Sequence, residues 1–79
     1  MTVVYQSAST RLFQESAEEL AIRLESEGSE ASRTLAIEAR ELAVSFAVWH
    51  EERPTDEVRV ATIQRLFELN RRALDYLAA

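Results

Sequence analysis

Seventy-nine residues hold a single glycine, Gly28, and a single proline, Pro54. So little turn chemistry leaves room for two sharp breaks and three long segments. The segments are rich in alanine, leucine, glutamate and arginine, all good helix formers. The expected fold is therefore all-α, a three-helix bundle made antiparallel by its short connections. Residues 9–79 form its single helical domain. Residues 1–8, with the β-favouring Val3, Val4 and Tyr5, form an extended or frayed N-terminal arm.

The first helix starts from a Ser9 or Thr10 cap and carries Phe13, Ala17, Leu20 and Leu24 on one face, with Glu15, Glu18, Glu19 and Glu25 largely off it. Gly28 fits the left-handed position beyond a helix end, and Ser29 can cap the next helix, which makes a tight hairpin. The alternative is one long helix through Gly28, at about 1 kcal/mol relative to alanine, and this requires an extended coiled coil. The second helix is expected from Glu30 to His50. Its main seam is Leu35, Ala39, Leu42, Phe46 and Trp49, edged by Ala36, Ala43 and Ala47, with Ile37, Val44 and Val48 nearly opposite. Arg53 should end it, because a residue before proline avoids the helical region. Thr55 then caps the third helix, with Asp56 and Glu57 in the acidic first turn.

That third helix, to Leu77, has the broadest apolar arc in the chain. Val60, Ile63, Phe67, Asn70, Leu74 and Leu77 recur at alternating spacings of three and four. Val58, Leu69 and Tyr76 form a second row, with Leu66 and Ala73 between the two. A chain of this size removes only about 60% of its unfolded surface on folding. With no cysteine there is no disulfide to compensate. Two helices with surplus apolar surface point to a homodimer, its interface drawn from Ile37, Val44, Val48, Val58, Leu69, Asn70 and Tyr76. Asn70, polar within an apolar seam, reads either as a device that fixes dimer register, or as an asparagine at the solvated edge of the face or bonded to a local backbone group. Trp49, His50 and Arg53 mark a turn that can contact a partner, although a tryptophan ending an apolar seam also suits the core.

No motif carries specific chemistry, and no catalytic residue, metal ligand or cofactor is assigned. The position three residues before His50 is Ala47, so the Glu-x-x-His element of di-iron bundles is missing. The formal net charge of −5 disfavours nucleic acid as a partner. There is no apolar run of membrane-spanning length and no signal sequence, so a cytoplasmic location without membrane association is expected. Every basic residue is arginine, a composition that suits a GC-rich bacterial genome. The expected function is a small acidic protein–protein interaction module: a bacterial adaptor, regulatory or assembly component that binds itself and another protein. Two alternatives are a small dimeric enzyme, its anionic-substrate site lined by Arg11, Arg23, Arg65 and Arg72, and a DNA-associated regulator.

Overall fold

The computed structural model describes residues 8–77. Among them are three long helices and one isolated helical turn: α1, Ala8–Glu27; α2, Glu30–Ala47; α3, Trp49–Glu52; and α4, Asp56–Leu77. The described residues contain no strand. Val3, Val4 and Tyr5 of the expected arm lie outside them. Ala8, assigned to that arm from the sequence, is already the first residue of α1.

The α1–α2 turn is closed by a small set of hydrogen bonds centred on Leu24. Gly28 adopts φ +85°, and its N–H donates to the Leu24 carbonyl at 3.4 Å. The Ser32 hydroxyl, fully buried, donates to that same carbonyl. One acceptor at the end of α1 is thus shared by the turn and by the first turn of α2, which satisfies a group that helix termini otherwise leave open. Ser29 caps α2: its Oγ accepts from the Ser32 N–H at 3.1 Å and its carbonyl from the Arg33 N–H at 2.9 Å. The Glu27 carboxylate accepts from the Ser29 N–H at 3.0 Å. The chain therefore turns back on itself here and does not continue as one long helix.

Expected to reach His50, α2 instead stops at Ala47. Val48 takes φ −96° and ψ 0°, and a separate turn follows. The break lets Trp49 set its ring edge-on to Phe46, with centroids 4.9 Å apart. Arg53 ends this turn in the left-handed conformation, φ 50°, with its N–H donating to the Trp49 carbonyl at 2.9 Å. Pro54 disfavours a right-handed helical residue before it, so the stop falls at Arg53. Thr55 then caps α4, its Oγ1 accepting from the Val58 N–H at 3.3 Å.

The core joins Ala17, Leu20, Ala21 and Leu24 of α1 to Leu35, Ala36, Ala39, Leu42, Ala43 and Phe46 of α2, with Trp49 beyond. Five of these eleven residues are alanine, which lets two helix backbones approach closely along their length. Leu66, Leu69 and Ala73 of α4 complete it. Antiparallel to α2, α4 places Arg72 beside Glu38 and Tyr76 beside Leu35. Its first residues, Asp56–Ala61, are all exposed.

The phase of α4 differs from the seam expected of it. The buried line is Thr62, Leu66, Leu69 and Ala73. Val60, Phe67 and Leu74, members of the expected seam, are exposed, and Ile63, Asn70 and Leu77 are half-buried along one edge. Leu66, Leu69 and Ala73 of the buried line pack in the core, and the Thr62 hydroxyl is satisfied by the Val58 carbonyl at 2.8 Å.

Gly28 provides the test of the hairpin. A Cβ there would meet only the Ser26 carbonyl oxygen, at 3.9 Å, so any cost is conformational. Gly28→Ala should destabilise by about 1–2 kcal/mol in urea unfolding, and Gly28→Asn by less. Equal stability of the alanine variant would contradict the left-handed turn.

Candidate functional site

Residues of α2 advance by about 100° each around the helix, so its two flanks serve different neighbours. Ala31, Thr34, Leu35 and Glu38 face α4. Arg33, Ile37, Arg40 and Val44 lie on the other flank and, together with Ala36, Glu41 and Glu25 of α1, line an open groove of about 660 Å³. Two packed helices have a groove on each side. Among the described residues α4 occupies one, and the other is open.

The open groove is apolar along its floor and charged along its rim. Ile37 is 62% exposed and Val44 64% exposed. The small Ala36 lies beside them, so a helix laid there could approach closely. Above this floor the Arg40 guanidinium grips Glu25 in a bidentate pair, Nε to Oε2 at 2.9 Å and Nη2 to Oε1 at 2.7 Å. That hydrogen-bonded guanidinium holds the Glu25 carboxyl below its ordinary value of 4.5 and raises Arg40 in turn. Arg33 and Glu41 complete a rim of two arginines and two glutamates, balanced in charge.

The expected interface residues fall into three groups. Ile37 and Val44 line the groove, with Val48 half-buried further along α2. Val58 is exposed on the first turns of α4 and is not among the groove-lining residues. Leu69 is only 1% exposed and Tyr76 packs half-buried on the core, so this row of α4 is occupied within the chain. For Leu69 this corrects the interface assignment: it packs in the core with Leu66 and Ala73. The exposed row of α4 is Val60, Phe67 and Leu74, with Phe67 set edge-on to Phe13 at 6.4 Å. Asn70, on the same edge, donates from Nδ2 to the Leu66 carbonyl at 3.0 Å, the local-backbone alternative.

At the expected partner-contact turn, Trp49 is 7% exposed and belongs to the core, which removes it as a surface contact. Arg53 is exposed in its left-handed conformation. The His50 side chain lies outside the described residues. The proposed arginine site divides between helices: Arg72 reaches Glu38 of α2 at 3.3 Å, while Arg11, Arg23 and Arg65 are exposed. Arg33 and Arg40, not among those four, are the arginines that share a groove, and Arg40 is already held by a carboxylate. Their positions on the groove flank were legible in the spacing of Arg33, Ile37, Arg40 and Val44. Among the described residues no cluster of three or more histidine, cysteine or acidic side chains is placed to hold a metal ion, and no helix is long and apolar enough to cross a membrane.

Comparison with protein-family models, with curated proteins and with solved structures finds no match.

The Glu25–Arg40 pair predicts a pH effect of defined sign. A carboxyl lowered on folding contributes stability at neutral pH, and the contribution is lost as pH falls through its folded pKa. Arg40→Leu should return the Glu25 titration, followed by carboxyl NMR shifts, upward to the ordinary glutamate range. It should also remove this residue's share of the acid destabilisation. An unchanged Glu25 titration would contradict the pairing.

Proposed function

We propose that this chain is a small helical interaction module whose working surface is the open groove between α1 and α2, and that association completes the bundle. One observation carries the reading: the groove opposite α4 has an apolar floor of Ala36, Ile37 and Val44 beneath a charge-balanced rim. Laying an amphipathic helix into such a groove is a common mode of protein recognition, in which buried apolar anchors supply affinity and the polar rim supplies orientation. Each large aliphatic side chain covered in this way contributes about 1.5–3 kcal/mol when fully buried.

Rim charge also favours this reading over an anion-binding enzyme. Arg40, the groove arginine with a bidentate partner, is neutralised by Glu25. The all-arginine basic content suits a bacterial source, and a cytoplasmic adaptor, regulatory or assembly component is the role we assign. Homodimerisation belongs to the same proposal, since a second chain can supply the missing helix.

Site-specific photo-cross-linking in the native host tests it. A photoreactive residue placed at Val44 should give protein adducts, whereas one at Glu19, exposed on α1, should not. Absence of adducts from position 44 in the folded protein would overturn the reading.

A further inference from the structure

The groove carries information about its occupant. Along its flank of α2 the order is Arg33, Ile37, Arg40, Glu41, Val44 and Val48. Reversed about a point between Arg40 and Glu41, this order is complementary to itself. Ile37 exchanges with Val44, Arg40 with Glu41, and Arg33 with Val48. Ile37 and Val44 are well exposed and Val48 half-buried, and both central charges stand on the groove rim.

We infer that the occupant is the α2 helix of a second copy, running antiparallel about a two-fold axis between Arg40 and Glu41. This deepens the docking proposal above and rests on it. A two-fold interface requires a self-complementary patch, and between Ile37 and Val44 this register provides one, with the like-charged Glu30 and Glu51 of the two chains meeting only at its ends. Each Ile37 meets Val44 of the partner subunit, and each Arg40 meets Glu41 of the partner subunit. The aliphatic stem of Arg33 covers Val48 of the partner subunit. Each of the other simple arrangements loses something. A parallel pair in register sets arginine against arginine and glutamate against glutamate. Sliding the antiparallel pair by one turn sets Val44 against Arg33 and Ile37 against Arg40, or Val44 against Glu41, of the other chain. Nor does the internal ion pair block the arrangement. Arg40 holds Glu25 with Nε and Nη2, and its guanidinium has further donors on Nη1 for the incoming carboxylate.

The register can be tested directly because the chain has no cysteine. Ile37→Cys and Val44→Cys replace exposed side chains, so both variants should fold. Each alone, treated with a short bis-maleimide, should give little cross-linked dimer, because like positions lie about 10 Å apart along the axis. An equimolar mixture should give several-fold more. Independently, Glu41→Arg and Arg40→Glu should each sediment as a monomer, since each sets like charges across the axis, and their mixture should recover the dimer. Three results would overturn the proposal: efficient cross-linking of Ile37→Cys alone, charge variants that dimerise alone as the parent does, or a parent that stays at 9.0 kDa at high concentration. A monomeric parent that still gives adducts to a different protein from position 44 would remove only the second copy. A parent that dimerises with no adduct from position 44 would remove the docking reading too.

Discussion

The Leu24 carbonyl, shared between the Gly28 N–H and the Ser32 hydroxyl, is the contact on which the remaining architecture depends. It fixes where α1 ends, how sharply the chain reverses, and which face of α2 returns against α1. Ser32 is fully buried, so a hydroxyl without that acceptor would be an unsatisfied polar group at a typical penalty of about 1–3 kcal/mol. Once the hairpin is set, the alanines of α1 and α2 hold the two backbones close. The pair then offers two long grooves. One is filled by α4, and the other remains as a surface with the character of a core.

The punctuation of this fold was legible in the sequence, and the rotation of one helix was not. Gly28, Ser29, Pro54 and Thr55 announced both turns through chemistry local to each residue. The inward face of α1 was equally plain, because its glutamates lie largely away from the Phe13–Leu24 seam. For α4 the apolar residues spread over so wide an arc that several seams fit the same periodicity. Glu57, Glu68, Arg71 and Asp75 mark the outside of α4, but the apolar arc opposite them is wider than one seam, so periodicity leaves the choice of buried line open. Phase was set by the packing of Leu66, Leu69 and Ala73 into the core, a tertiary constraint that no local pattern carries. Val48 is a related case: nothing between Glu30 and His50 breaks helical periodicity, yet the backbone departs from it at Val48, φ −96° and ψ 0°.

The candidate site was half visible for the same reason. Ile37 and Val44 stand nearly opposite the Leu35–Phe46 seam of α2, so their surplus could be read directly. Leu69 was assigned to the same surface only because the phase of α4 was undetermined. Asn70 shows how an unusual residue in a seam can have a local cause. Its amide bonds the carbonyl one turn back, and it needs no second chain to be satisfied. The rim arginines gain meaning only with geometry, because the reach of Arg40 to Glu25, fifteen residues away, depends on the hairpin.

Under the proposed function, the groove opposite α4 is uncovered in the single chain and becomes covered on association. Paramagnetic relaxation by a soluble probe, read on the methyl groups of Ile37 and Val44 across a dilution series, measures this directly. At low concentration both methyls should relax strongly while those of Leu42 and Leu66 remain shielded, and at high concentration Ile37 and Val44 should become shielded as well. Ile37 and Val44 methyls shielded at every dilution, or open at every concentration, would contradict it.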